Sequence, residues 1–153
     1  MSPAPQRREI YVSRIYDLSR NVLFRAWTEP KHLSRWWGPK DFTVPVCEVQ
    51  PRVGGKLHIV MRAPDGTDYG MQGTYTEFRT PEALGFDFEA MDKTGKAALQ
   101  GQLSVSFAEE SGRTRMSLST YAEGLSEEAL QMLDGMETGW NQSLERLSRA
   151  LKS

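Results

Sequence analysis

The sequence predicts a single α+β domain in which a curved antiparallel sheet of about seven strands wraps around a long C-terminal helix. Three observations predict this fold. Segments of alternating apolar and polar residues, separated by tight turns, fill the middle of the chain. Two short helical segments follow the first strand, and an apolar stripe at helical spacing runs along the C-terminal segment. The length of 153 residues suits one domain with one core.

The N-terminal segment is predicted to be a tail followed by the first strand. Residues 1–8 are Pro-rich and show no periodicity, so we assign them to a flexible tail and residues 9–153 to the domain. From Glu9 onward, apolar residues alternate with polar ones as in a strand that ends near Asp17.

Two short helices are predicted next. Ser19 is a typical N-cap, and Leu18 and Leu23 occupy the two positions of a hydrophobic staple. The inward-facing residues of this helix are predicted to be Val22, Leu23, Ala26 and Trp27.

The second short helix is predicted to begin at a Thr28 cap with Pro30 in its first turn, where a missing N–H costs nothing. It carries Trp36 and Trp37, and Gly38 followed by proline ends it. Adjacent tryptophans on one helix point in different directions, so we expect one of the two to be exposed.

Six further strands are predicted between Thr43 and Ser119. Turn sequences such as Pro64-Asp65-Gly66 separate them. Strands joined by such short turns must be antiparallel neighbours, because parallel pairing needs a crossover of about a dozen residues. This region is therefore predicted to be a meander.

The last segment is predicted to be one helix of roughly 25 residues, about 37 Å long at 1.5 Å per residue. Ser126 is the expected N-cap, Glu127 and Glu128 suit the positive end of the helix dipole, and Leu125 could staple onto Leu130. The apolar stripe of this helix consists of Leu133, Met136, Trp140, Leu144, Leu147 and Leu151.

Composition excludes several classes of protein. The net charge of −1 provides no field that would attract nucleic acid or an anionic membrane. The single cysteine, Cys47, rules out an internal disulfide and a cluster of several thiolates. The polar N-terminus does not resemble a signal peptide, and no apolar run approaches the roughly 20 residues that cross a bilayer. We therefore expect a cytoplasmic protein without nucleic-acid or membrane partners.

A straight helix and a strongly curved sheet cannot touch everywhere, so a cavity between them is expected. The alternative is a closed core, because protein interiors are normally close-packed. Bulky, adaptable side chains suit an apolar ligand of variable shape. The candidate ligand-binding residues are Trp36, Trp37, Met61, Met71, Phe86, Phe88, Met132, Met136 and Trp140.

Three segments carry a resemblance to a known family. They are FRAWTEPKHLSRWWGP (24–39), VGGKLHIVMRAPDGTDYGMQGTY (53–75) and GWNQSLERLSRAL (139–151). Together they resemble the activator of heat-shock protein 90 ATPase homologues, within the START/polyketide-cyclase-like superfamily. The resemblance covers about residues 9–152. It implies a helix-grip fold and binding of a small hydrophobic or amphipathic ligand, and it raises a chaperone as an alternative partner, although the namesake's domain arrangement is absent here.

Few titratable residues are placed to do chemistry. His58 faces water if Leu57 and Ile59 face the core; in the opposite register it would lie inside as a general base or a ligand-orienting group. Glu137 flanks the apolar stripe one turn before Trp140, where partial burial would suit a proton donor or a ligand contact, but a solvated rim charge is the commoner outcome.

The other reactive residues are expected to have no catalytic role. His32 is expected to be solvated and Cys47 to be a buried, inert thiol. Arg62, Tyr69, Gln72 and Tyr121 could contribute polar contacts at a cavity mouth. No spacing of His, Cys or carboxylates matches a metal site and no phosphate-binding loop occurs, so neither a metal nor a cofactor is predicted.

Three functions remain open from the sequence. The preferred one is a binding module for a small hydrophobic molecule. The second is an interaction protein, either with a chaperone or as a homodimer through a sheet edge or the Trp36-Trp37 region. The third is a cyclase, dehydratase or hydrolase that uses Glu137, His58 or Tyr121. Both a monomer and a homodimer are compatible with the sequence.

Overall fold

The computed structural model describes residues 6–127 and 129–152. The predicted α+β fold is confirmed: one seven-stranded antiparallel sheet curves around helices. The elements are β1 (Arg7–Tyr16), α1 (Arg20–Thr28), α2 (Pro30–Trp36), β2 (Thr43–Val49), β3 (Lys56–Arg62), β4 (Asp68–Arg79), β5 (Ala83–Met91), β6 (Ala97–Glu110), β7 (Arg113–Gly124), α3 (Ala129–Asp134) and α4 (Met136–Lys152). No helix among the described residues is long and apolar enough to cross a bilayer.

The sheet has the strand order β1-β7-β6-β5-β4-β3-β2. Strands β2 to β7 form the predicted meander, each antiparallel to the next. The first strand, β1, pairs antiparallel with the last, β7, and Val12 lies opposite Leu118. This places β1 and β2 at the two edges of the sheet, with β5 at its centre.

The first strand begins earlier than the sequence predicts. Arg7 and Arg8, which we assigned to the tail, pair with Glu123 and Ala122 of β7. Arg7 also stacks its guanidinium over the Tyr121 ring, 4.0 Å from the centroid, and pairs with Glu9. These cross-strand contacts extend the ladder through a segment whose composition alone suggested no strand.

The Ser19 cap of α1 is confirmed, since its hydroxyl accepts the Val22 N–H at 3.4 Å. Two details differ. Val22 is 37 % exposed, and Phe24 takes the inward position instead. Thr28 does not cap α2: its hydroxyl donates to the Phe24 carbonyl one turn back, and Glu29 is the N-cap residue without a side-chain bond. A threonine at a helix end can bond in either direction, and the backward bond wins here.

The C-terminal segment forms two helices rather than one, because the chain breaks at Gly135. Glycine is a poor helix former, and the two helices cover different parts of the sheet. The Ser126 hydroxyl accepts the Ala129 N–H, as expected of a cap. The predicted Leu125–Leu130 staple is wrong, since both side chains are well exposed. The predicted dipole contribution of Glu128 lies outside the described residues.

The core is divided into two clusters. The larger one joins α1, α2 and α4 to the sheet and contains Leu23, Trp27, Trp36, Leu144 and Leu147. The smaller one lies under α3 and consists of Ala98, Leu99, Ala122, Ala129 and Leu133. The break at Gly135 separates the helices that cover them, and an open space lies between the two clusters.

Candidate ligand cavity

An apolar cavity of about 400 Å³ lies where the two core clusters meet. Its walls come from the sheet on one side, from α3 and α4 on the other, and from the segment after α2. The larger cluster contributes Trp37, Phe86 and Leu103, and the smaller one contributes Leu99 and Ala122. The cavity is therefore a gap between the two core clusters that is partly open to solvent.

Thioethers and aromatic rings dominate the lining. The methionines are Met61, Met71, Met91, Met132 and Met136. The aromatic residues are Trp37, Phe42, Tyr69, Phe86, Phe88 and Trp140. Every candidate ligand-binding residue predicted from the sequence lies on this lining except Trp36.

Trp36 lies one layer further in. Its side chain is fully buried, and its indole N–H donates to the Ala26 carbonyl at 2.9 Å. It contacts Trp27 and Trp37 with ring centroids 4.8 and 5.7 Å apart. It therefore supports the cavity wall through Trp37 without reaching the cavity itself.

The expectation that one tryptophan of the pair is exposed is wrong. Trp36 ends α2, while Trp37 has an extended backbone, φ −64° and ψ 131°. The change of backbone direction turns both rings inward, and Trp37 is only 7 % exposed. Trp37 meets Trp140 edge to face at 5.3 Å, and Trp140 stacks on Trp27 at 6.1 Å. An exposed tryptophan therefore no longer supports the hypothesis that the protein binds a partner or a second copy through the Trp36-Trp37 region.

Residues 37–42, between α2 and β2, form the wall segment of the cavity, and side chains of α4 hold this segment in place. Ser143 accepts the Gly38 N–H at 3.1 Å, and Gln142 accepts the Lys40 N–H at 3.1 Å. The Arg146 guanidinium donates to the carbonyls of Trp37, Gly38 and Pro39. Arginine's fixed fork of donors suits such a cluster of carbonyls. Burial lowers the pKa of this guanidinium, since its environment is partly desolvated.

Gly38 has a conformation that few other residues adopt, with φ +103°. A Cβ at this position would also lie 3.0 Å from the Met61 sulfur. Both the backbone and the space therefore require glycine where the wall segment meets β3.

Two glycines lie opposite Phe88, which lines the cavity on its sheet side. Phe88 of β5 lies opposite Gly73 of β4 and opposite Gly101 of β6. A Cβ on Gly73 would lie 2.3 Å from the Asp87 carbonyl oxygen, and one on Gly101 would lie 1.9 Å from that of Tyr121. The backbones approach this closely because no side chain separates them, which is typical of a sharp bend in a sheet.

The catalytic candidates from the sequence lie outside the cavity. Glu137 is exposed in the first turn of α4. His58 is exposed on the outer face of β3 and pairs with Glu48 at 3.5 Å, while Leu57 and Ile59 are buried. The register that would have placed His58 inside is therefore wrong. His32 is partly exposed and pairs with Glu29.

Of the four polar candidates for the mouth, only Tyr69 lines the cavity. Arg62 forms an ion pair with Asp68 at 2.8 Å. Gln72 and Tyr121 line a broad polar depression of about 770 Å³ on the outer face of the sheet. That depression is bordered by charged side chains such as Lys56 and Glu89, and it offers little apolar surface to a hydrophobic ligand.

Several lining residues were missed by sequence reasoning. In a regular strand, Met91 would face away from Phe86, Phe88 and Ala90, because side chains alternate between the two faces of the sheet. An irregularity in the pairing between Ala90 and Met91 brings the Met91 side chain to the cavity lining. No sequence signal marks that irregularity. Ser143 could have been found, because it lies three residues after Trp140 on the same helix face.

Cys47 is half-buried on β2 against the larger core cluster, and burial raises the pKa of its thiol to about 11. At pH 8 only about 0.1 % of such a thiol is ionised, against roughly a quarter of an ordinary one. We expect iodoacetamide to alkylate folded protein on the order of 100-fold more slowly than urea-unfolded protein. Whole-protein mass spectrometry measures both rates, because the chain has one cysteine. Rates within a few-fold of each other would contradict the assigned environment.

The fold and the cavity define a helix-grip protein, a sheet curved around a C-terminal helix with space between them. Residues 17–152 match the family model described as "Activator of Hsp90 ATPase homolog 1-like protein", and the chain belongs to this family.

Solved structures of bacterial proteins share the fold. The solution NMR structure of a protein from Arthrobacter aurescens is 27 % identical, with a TM-score of 0.79 over 94 % of this chain and 86 % of that one. The crystal structure of an AHSA1 protein from Silicibacter pomeroyi is 24 % identical, with a TM-score of 0.77 over 95 % and 98 %. The crystal structure of a protein from Nitrosomonas europaea is 23 % identical, with a TM-score of 0.75 over 94 % of each chain. No curated protein sequence shows a significant match.

Proposed function

We propose that this protein binds a small hydrophobic or amphipathic molecule in the cavity between its sheet and its C-terminal helices. The observation that carries the proposal is the lining of thioethers and aromatic rings around an unfilled space in the core. A volume of about 400 Å³ falls in the range of sites for small organic ligands, roughly 300–1,000 Å³.

The lining suits ligands of different shapes. Methionine is unbranched and polarizable, so its side chain can repack around different ligands and contact their rings. Met132 and Met136 lie on either side of the break at Gly135, where the helical cover is discontinuous. The glycine in that break offers a place where the cover can adjust to a ligand.

The same lining favours binding over catalysis. Acid–base chemistry needs a titratable group within hydrogen-bond reach of the bound molecule. Among the described lining residues the only ionisable side chain is the Tyr69 phenol. Glu137 and His58, the candidates named from the sequence, face solvent.

The proposal is tested with N-phenyl-1-naphthylamine, a neutral dye that fluoresces strongly in apolar surroundings. We expect its emission to rise and shift to the blue on titration with the protein. Ala90 lines the cavity on β5, so Ala90→Phe fills part of the space and should weaken dye binding at least tenfold.

Ala108→Phe is the matched control, because Ala108 is exposed on β6 away from the cavity. It should bind the dye as the wild type does, and both variants should retain the wild-type circular dichroism spectrum. Absence of dye binding to the wild type, or equal loss in the two variants, would contradict the proposed function.

A further inference from the structure

The cavity wall carries no formal charge. Its polar side chains are Tyr69, Gln131 and Ser143, and no Asp, Glu, Lys, Arg or His occurs on the lining within the described residues. Arg146, which lies behind the wall, directs its donors to backbone carbonyls. A charged group brought into this space would lose part of its hydration without gaining a counter-ion, which disfavours its binding.

Ser143 is the buried member of these three polar side chains, and its donor is unused. It is only 5 % exposed and lies on α4 at the cavity wall. Its oxygen accepts the Gly38 N–H at 3.1 Å, which fixes the position of the hydroxyl. No hydrogen bond donated by this hydroxyl is formed among the described residues, whereas the Ser148 hydroxyl, further along the same helix, donates to the Leu144 carbonyl.

A buried hydroxyl normally uses its donor, because a buried polar group without a hydrogen-bond partner is unfavourable. The Ser143 hydroxyl could donate to an acceptor on a bound molecule, such as a carbonyl or ether oxygen. The surrounding aromatic and thioether groups would contact the apolar remainder of that molecule.

We propose that the ligand is an uncharged, largely aromatic molecule that presents a hydrogen-bond acceptor to the Ser143 hydroxyl. This inference rests on the proposed function and specifies the class of ligand for the same cavity. It separates neutral ketones, esters and ethers from carboxylates such as fatty acids and aromatic acids.

Three naphthalenes of similar size test the two parts of the inference by equilibrium dialysis against the wild-type protein. 2-Acetylnaphthalene is neutral and has an acceptor, 2-ethylnaphthalene is neutral without one, and 2-naphthoate is an anion. The acetyl compound should bind about three- to tenfold more tightly than the ethyl compound, the effect of one hydrogen bond. It should bind at least tenfold more tightly than the naphthoate, because the carboxylate must be desolvated.

Variants assign the acceptor preference to one residue. Ser143→Ala should abolish the preference for the acetyl over the ethyl compound, whatever its effect on the affinity that the two compounds share. Ser148→Ala, the matched control, should keep the wild-type preference. Thermal unfolding checks that both variants fold, and the comparison of ligands within wild-type protein stands without them.

Each outcome decides a stated part of the inference. Equal affinity for the acetyl and ethyl compounds would overturn the role of Ser143, and naphthoate binding as tight as that of the acetyl compound would overturn the requirement for a neutral ligand. If N-phenyl-1-naphthylamine binds while the series shows no preference, the inference fails and the proposed function stands. If neither the dye nor any naphthalene binds, both fail.

Discussion

Replacing Trp36 with alanine should destabilise the protein by about 3–5 kcal/mol, the range for truncating a large buried aromatic residue. The Trp36 side chain is completely buried between Trp27 and Trp37. Its loss would leave a large void and remove the hydrogen bond to the Ala26 carbonyl. A domain of this size is stable by only about 5–15 kcal/mol, so this variant should unfold at a much lower urea concentration.

Urea titrations followed by circular dichroism at 222 nm measure the effect without relying on tryptophan fluorescence. Tyr11→Ala is the control, since Tyr11 is 69 % exposed on β1 and its removal should change stability by less than about 1 kcal/mol. If Trp36→Ala cost no more than Tyr11→Ala, the packing assigned to the tryptophan cluster would be incorrect.

Gly101→Ala should destabilise the protein by about 3 kcal/mol, the upper part of the range for overpacking a well-packed site. The new Cβ would lie 1.9 Å from the backbone carbonyl oxygen of Tyr121, and a backbone cannot rotate away as a side chain can. Relief would require β6 and β7 to separate at the bend where Phe88 packs.

Gly70→Ala is the matched control for Gly101→Ala. Gly70 also lies in a strand, but a Cβ there would meet nothing closer than the Met91 Cγ at 3.8 Å. The effect should stay within about 1 kcal/mol, since reduced freedom of the unfolded chain offsets small losses. Equal costs for the two substitutions would show that the bend at Gly101 does not need a glycine.

Much of the architecture is readable from the sequence, because periodicity and turn residues act locally. The alternation of Leu103, Val105 and Phe107 and the turn at Pro64-Asp65-Gly66 predict strands that the structure confirms. The Ser19 cap is equally local. The apolar stripe of the C-terminal segment predicted a helical cover for the sheet, and the family resemblance agreed with that arrangement.

The errors arise where a distant contact decides the outcome. Both tryptophans of the pair are buried because the chain leaves α2 between them and α4 holds the outgoing segment. The C-terminal helix divides at Gly135 because its two parts cover two separate clusters. The first contact is not encoded by neighbouring residues, whereas Gly135 is a local signal that the prediction of one continuous helix did not use.

The cavity lining was predicted in outline because bulky apolar residues recur on inward faces. Its polar part was not predicted, since Ser143 gains its significance only from the Gly38 N–H across the wall. The importance of Gly73 and Gly101 likewise depends on the cross-strand register, which places both opposite Phe88.

The most direct test of the cavity as a ligand site is an NMR titration of protein labelled with ¹³C at its methionine methyl groups, using N-phenyl-1-naphthylamine. Met116 is fully buried in the larger core cluster, away from the lining, and serves as an internal control. The proposal predicts saturable shifts of the signals from Met61, Met71, Met91, Met132 and Met136 while that of Met116 stays in place. Absence of any shift, or shifts of Met116 as large as those of the lining methionines, would contradict it.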